Sequence, residues 1–564
     1  MFGDAATGRI PSVSPPTAFP TAPKRTRSRR TTAGPPTGRS RTLSLSLLIF
    51  FMLSFLISSP SAGTAGSAGA ASATRYEQLA GVLDTRTQFS DGIYSIDGLA
   101  KMAEERSVQV LFINDHDKLA LSYGLPPFPN LINKTVELNS ILKGKPVDYL
   151  QAVSQAQERY KHIIIIPGSE SAPFYYWTGN PFRKNLTAHD HERRILTVGL
   201  AKADDYRRLP VIHNTGPFNM DLLPGVAPFI IALFLAAVMI LWRGWMRIAG
   251  IALAVVALLY IVDNHPFRAT VFDPFHGDQG ARPYQRLIDY VSSRDGLTFW
   301  NYPETRSGVR RLGPIHVSTK PYPEMLLATQ GYTGFSALYG DNITITEPGN
   351  IWDAALKEHC RGYRHRPPWG VGTADYHKEG ESGEKFGNYQ TVFLVREKTG
   401  AAVLQAMRNG RMYARQGNFP KLPRLDEFTV SDAAGEQRGE MGDTIKMGGN
   451  PHIHIRISAA PPATPEPSAR PGTPVPPESS TPPAPKESSI PPGTPSPQGT
   501  PAVKVRLIRN GSLIAEANGP LPLTFNYEDK YYQPGENIYY RMDMEGMGKI
   551  VANPIFVAFT GAKP

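Results

Sequence analysis

Four short stretches of the chain end an apolar run in carboxylates, amides or imidazoles: Asn114-Asp115-His116-Asp117, Pro167-Gly168-Ser169-Glu170, Asn301-Tyr302-Pro303-Glu304 and Thr373-Ala374-Asp375-Tyr376-His377. Asp, Glu and His are the residue types that ligate divalent cations and move protons near neutral pH. Any one of these stretches is ordinary polarity at a strand end; their recurrence gives the pattern weight. Each follows a helix-like segment and a short strand-like run. The segments 96–106, 147–160, 284–293 and 352–360 lead into the strand-like stretches 108–113, 162–166, 296–300 and 370–372. Helices alternating with buried strands predict a parallel sheet, closed or open. Such folds gather chemistry at the carboxyl ends of their strands, so these residues are expected at one mouth.

Charge and cysteine content exclude other classes. The chain has 564 residues, room for roughly three to four domains, and a net charge of +11. Arg9, Lys24, Arg25, Arg27, Arg29, Arg30, Arg39 and Arg41 against Asp4 place +7 of it in residues 1–42, leaving 11 − 7 = +4 for the rest. The basic character belongs to a tail, and no nucleic-acid partner is expected. Cys360 is the only cysteine, which excludes an internal disulfide, a Cys-based zinc site and a CxxC centre.

Two apolar blocks point to a membrane. Residues 43–59 follow the basic tail and precede a Ser/Ala/Gly-rich stretch, the order of a signal peptide, with an uncleaved anchor as the alternative. Residues 226–262 are apolar except for Arg243 and Arg247 at a central turn, which reads as a transmembrane helical hairpin with its turn in the cytoplasm. Membrane lipid is thus an expected partner. The segments 75–225 and 263–420 then face the same side, the periplasm or cell exterior, and form one body. Residues 1–42 and the Pro-rich 461–501 are expected to be disordered. Alternating residues in 421–460 and 502–564 predict a small C-terminal β-sandwich-like domain. His452 and His454 within it read as surface residues.

The ordered motifs resemble those of the polymerase and histidinol-phosphatase (PHP) superfamily, metal-dependent phosphoesterases on a distorted (β/α)7 barrel. The family's His-x-His followed by Thr-x-x-Ser-Asp-Gly aligns with Asp84-Thr85-Arg86 and Thr87-Gln88-Phe89-Ser90-Asp91-Gly92. Its Thr-Asp-His is similar to Asn114-Asp115-His116, its Pro-Gly-x-Glu to 167–170, its Ala-His-Pro-Glu to 301–304 and its Ser-Asp-x-His to 374–377. The resemblance covers about residues 80–420, with the hairpin as an insertion. It implies metal ligation by Asp84, Asp91, His116, Glu170, Asp375 and His377, with Zn²⁺, Mn²⁺ or Fe²⁺ activating a water against a small phosphate ester. His189 or His191 would supply a further histidine.

This chain departs from the family where Asp84 and Arg86 replace two histidines and Tyr302 replaces a third. Guanidinium stays protonated and cannot ligate, so fewer ions than the family's usual number are expected. Arg86 would oppose a nearby cation unless it pairs with Asp84, Glu170 or a substrate phosphate. Arg86 is therefore expected to bind the substrate anion in catalysis, and Asp115 or Asp117 to orient the ligand histidines. A membrane-anchored, extracytoplasmic hydrolase of reduced activity is the expected function. A non-catalytic binding or sensor protein at the cell surface is the alternative.

Overall fold

The structure is a computed structural model. It describes residues 76–559 except 306–307, 342, 381–384, 460–501, 532–534 and 536. The basic tail, the apolar run 43–59 and the Pro-rich stretch lie outside the described residues.

Seven strands close into a barrel: β1 (Glu77–Thr85), β2 (Val110–Ile113), β3 (Ile164–Ser171), β4 (Arg194–Val198), β5 (Leu297–Asn301), β6 (Gly334–Leu338) and β7 (Trp369–Tyr376). They pair in that order, and β7 returns to β1 through Leu83↔Thr373 and Thr85↔Tyr376. Six strands are parallel, as the helix–strand rhythm predicts. β4 is the exception, running antiparallel to both β3 and β5. The all-parallel expectation is corrected there: β4 enters the barrel at the mouth and brings its first residue, Arg194, opposite Asn301.

Helices α1 (Ile96–Glu105) and α2 (Pro146–Arg159) follow the rhythm. Ser95 caps α1 by accepting from Gly98 N, and the helix buries Ile96, Leu99, Ala100 and Ala103. The barrel strands are buried on both faces, which is why β2 reads as the unbroken apolar run Val-Leu-Phe-Ile. Helix α5 (Arg282–Ser292) packs Tyr284, Leu287, Ile288 and Val291 against the same core.

Between β4 and α5 stand two apolar helices, α3 (Leu223–Ile240) and α4 (Trp245–Asp263). Both are long and apolar enough to cross a membrane; mean hydropathy is 2.5 for Met220–Ile240 and 2.2 for Trp245–Asp263, with 11% of each apolar window buried. Small residues let them approach: a Cβ on Gly250 would lie 2.9 Å from Met239 Cβ and 3.0 Å from Ala236 O. Along the two helices Val226, Ala236, Gly250, Ala257 and Asp263 are buried, and three of these are Ala or Gly. Close contact through small residues is how apolar helices associate where burial of oily side chains gives no driving force.

After the barrel, Tyr389–Val395 pairs antiparallel with β1 and extends its sheet outward through Met412–Gln416 to Gly548–Ala552 and Ile538–Gly546. A separate four-stranded sheet contains Pro423–Ser431, His452–Ala459 and Leu523–Glu528. Ile453, Ile455 and Ile457 share one core with Val505, Leu507 and Met542. An ion pair with both side chains fully buried, Arg541 to Asp353 at 2.6 Å, ties this region to α6 (Ile351–Cys360).

His213, after β4, contacts Tyr175 Oη at 2.7 Å. Burial, helped by Lys118 and opposed by Glu137, pulls its imidazole down to about 4. The unfolded chain takes up this proton first, near pH 6.5. This contribution is therefore complete above about 6.5 and declines as pH falls toward 4, costing about 2 kcal/mol at pH 5 relative to pH 8. Chemical denaturation of the full chain in detergent at both pH values checks this. His213→Gln is expected to lose about 2 kcal/mol less than the wild type between them, and identical pH dependence would contradict it.

Candidate functional site

The strand ends meet at one mouth because their registers align. Thr85 pairs with Ile113 and Tyr376, Ile113 with Pro167, and Arg194 with Asn301. Three residues at these ends adopt left-handed backbone: Asp84 (φ 68°), Tyr302 (φ 47°) and Asp375 (φ 47°). That conformation is uncommon for residues with a Cβ and persists where the surroundings enforce it. All three belong to one polar cluster.

Arg86 is the centre of that cluster and is 1% exposed. Its guanidinium hydrogen-bonds Asp84 Oδ1, donates to Asn114 O at 2.5 Å, and lies 2.9 Å from Glu170 Oε2 and 3.6 Å from Asp375 Oδ1. The remaining oxygens of Asp84 and Glu170 are also engaged. Asn301 Nδ2 donates to Asp84 Oδ2 at 2.9 Å and to Glu170 Oε1 at 2.7 Å, while Tyr302 Oη donates to Asp84 Oδ2. Arg194 Nη1 donates to Glu170 Oε2 at 2.8 Å. Burial disfavours charge on Glu170, but Arg194 and Arg86 outweigh it and hold its carboxyl well below the usual range. Asp375 shows half its side-chain surface, yet burial of the carboxyl and the charge of Asp84 push it up to about 6. Asp84, Glu170 and Asp375 thus surround a fixed organic cation. A metal ion does not fit among them, since it would meet guanidinium nitrogens and carboxylates already bonded.

A second group lies beside this centre. Asp91 Oδ2 is 3.1 Å from His116 Nε2 and 3.5 Å from His377 Nε2. Three distant segments supply these side chains: the turn after β1, the loop three residues past β2 and the residue after β7. His116 is 4% exposed, whereas Asp91 (38%) and His377 (24%) open toward solvent. Burial raises Asp91, but hydrogen bonds from His116 and His377 more than offset it and hold the carboxyl below its ordinary range. Burial alone would lower His377; its bond to Asp91 reverses that and raises it to about 9. Among the described residues, no group of three or more His, Cys, Asp and Glu is arranged to hold a metal ion as it stands. The two imidazoles and the carboxylate have suitable donor chemistry, contracted into hydrogen bonds with one another.

The other expected residues fall elsewhere. Asp115 accepts from Thr87 N and Thr87 Oγ1, both at 2.7 Å, and from Ser90 Oγ at 2.6 Å. It pins the turn that carries Asp91 instead of orienting a histidine. Burial raises its carboxyl despite these bonds. Asp117 accepts from Ser171 Oγ and Lys118 N, and the charge of His116 acts on it without a hydrogen bond between the two. Arg86 is buried at the centre of the cluster, and its guanidinium is engaged by internal ion pairs where a substrate-anion contact was expected. His189 stacks on Tyr176 with ring centroids 4.9 Å apart, and His191 sits 3.7 Å from Glu192. Arg194 was not anticipated. Its Nη1 lies 2.8 Å from His116 Nδ1 as well as bonding Glu170, so it fixes the ring. The sequence signal for it is only position: first in a strand whose reversed direction the apolar pattern does not reveal.

No family model matches the sequence, and a search of curated proteins returns no match. Solved structures give distant likenesses. A two-domain protein from Bacteroides vulgatus, described as containing a predicted PHP-like metal-dependent phosphoesterase, is 9% identical with a TM-score of 0.31, covering 83% of this chain and 90% of that one. A protein from Bifidobacterium adolescentis named as a metal-dependent phosphoesterase is 13% identical, TM-score 0.25, covering 58% of this chain and 96% of that one. An amidohydrolase from Chromobacterium violaceum is 12% identical, TM-score 0.23, covering 53% and 87%. In the order of its strand-end motifs the chain resembles the PHP-like metal-dependent phosphoesterases, with a buried guanidinium where that motif order sets a histidine.

Proposed function

We propose that this chain is a membrane-anchored hydrolase of small phosphate esters whose barrel faces the periplasm or cell exterior. The observation that carries this reading is the meeting of Asp91, His116 and His377 at a solvent-reachable mouth. In it they would hold a single Zn²⁺, Mn²⁺ or Fe²⁺. Such an ion polarises a phosphoryl oxygen and lowers the pKa of a water. Around it, Asp115 fixes the Asp91 turn and the Arg194–Glu170 pair fixes His116, work that outer partners of metal ligands commonly do. Asp84, Glu170 and Asp375 hold Arg86, whose charge stands where a further ion would otherwise be needed. The two apolar helices support membrane anchoring, and Arg243 and Arg247 at their turn support a cytoplasmic turn with the body on the opposite side.

A second reading, a binding or sensor protein without turnover, is favoured by the saturated Arg86 cluster. Fold and mouth can outlast the loss of a paired-metal centre. The two readings separate in one experiment on the full chain in detergent, stripped with a chelator and reloaded with each of the three ions. Ion-dependent release of phosphate or nitrophenol from an ester panel is expected. No turnover with any ion across the panel selects the binding protein.

A further inference from the structure

Besides the two helices, the described residues show an apolar surface beside them that the site does not use. The hairpin formed by Ala120–Gly124 and Asn133–Glu137 has an apolar tip, with Leu125, Leu131 and Ile132 exposed at 42%, 45% and 50%. The tip is locked to the end of α4. Asn130 N and Leu131 N both donate to Asp263 Oδ1 at 2.8 Å, and Asn130 Nδ2 donates to Asp263 O at 3.1 Å. Phe128 packs on Tyr260 with centroids 4.9 Å apart, and Phe229 of α3 stacks on the same ring at 4.5 Å. The segments joining barrel and helices are locked as well, Gly216 N to Phe267 O at 2.9 Å and Asn219 N to Pro266 O at 2.8 Å. They expose Phe218, Met220 and Phe267 at 50–65%.

Six exposed apolar side chains on three chain segments therefore adjoin the same end of the helix pair. Tyr260 is three residues from the end of α4, about 4.5 Å along the axis at 1.5 Å per residue. The tip held against it sits at the level where a span of this length leaves the hydrocarbon. Water-facing surface rarely gathers apolar residues in this way, and a rim of them around a membrane span is suited to the lipid interface. We propose that the barrel does not stand off on its two helices but is seated on the bilayer, with Leu125, Leu131, Ile132, Phe218, Met220 and Phe267 immersed in the outer lipid interface. The occupant of this surface is lipid, by continuity with the helices it surrounds. The inference rests on reading α3 and α4 as membrane spans.

The test uses the full chain with Cys360→Ala and a single new cysteine, labelled with an environment-sensitive nitrobenzoxadiazole dye and reconstituted into phosphatidylcholine vesicles. Leu131→Cys and Ile132→Cys probe the tip, Phe234→Cys (74% exposed on α3) the span, and Leu513→Cys (44% exposed, on the C-terminal strand Ser512–Pro520) the aqueous body. Doxyl-labelled lipid is expected to quench the dye at 131, 132 and 234 and to leave 513 unquenched. Quenching at 234 with none at 131 or 132 overturns the seated arrangement while leaving the spans intact. No quenching at 234 removes the spans and the seating together.

Discussion

Arg86→Ala is expected to destabilise the full chain by about 3–5 kcal/mol, the range seen when one partner of a buried ion pair is removed. The cost comes from the carboxylates left behind. Asp84 and Glu170 are 0% and 1% exposed, and Arg86 is the cation that both face. Asn301 and Tyr302 still donate to Asp84 but supply no charge, and Arg194 still pairs with Glu170, so Asp84 is the carboxylate left without a cation partner among the described residues. The vacated space is then lined by Asp84, Glu170 and Asp375, the oxygen-rich setting that hard and borderline divalent cations prefer. Added Mn²⁺ or Zn²⁺ should therefore restore part of the lost stability in Arg86→Ala, beyond any shift the same ion gives the wild type. Equal ion effects on both proteins, or a loss below about 1 kcal/mol, would show that the guanidinium does not stand in for a metal.

His116→Ala and His377→Ala are expected to lower ion-dependent turnover by at least about 100-fold, since mutating outer partners of metal ligands already costs 10–100-fold. Arg194→Ala should fall within that lower range: it leaves the donors in place but frees the His116 ring and leaves Glu170 with one cation fewer. The readout that separates the two is ion affinity. Arg194→Ala should regain turnover at higher ion concentration, and His116→Ala should not. A larger loss in Arg194→Ala, with no recovery, would mean that Arg194 touches substrate instead of positioning His116.

Much of the barrel is readable from the sequence because buried parallel strands leave unbroken apolar runs, and four such runs end in the motifs that line the mouth. β4 escapes that reading. Ile195-Leu-Thr-Val198 looks like its neighbours, and nothing in four residues records chain direction. Its reversal is what turns Arg194 from a residue at the bottom of the barrel into one at the mouth. The fate of Arg86 is readable in part, because a guanidinium near carboxylates must pair. The choice of internal pairs over a substrate depends on Asn301, Tyr302 and three strained backbone positions, Asp84, Tyr302 and Asp375, that lie far apart along the chain. Asp115 shows the opposite problem. A carboxylate one residue from a histidine invites a catalytic reading, yet two hydroxyls, of Thr87 and Ser90, and the Thr87 backbone N–H donate the hydrogen bonds to it.

The most direct test of the account is elemental analysis of the purified full chain after equilibration with Zn²⁺, Mn²⁺ or Fe²⁺. One tightly held equivalent is expected, lost in His116→Ala and retained in Asp84→Asn. Two or more equivalents in the wild type, or one equivalent that persists in His116→Ala and disappears in Asp84→Asn, would place the ion where Arg86 sits and contradict the account.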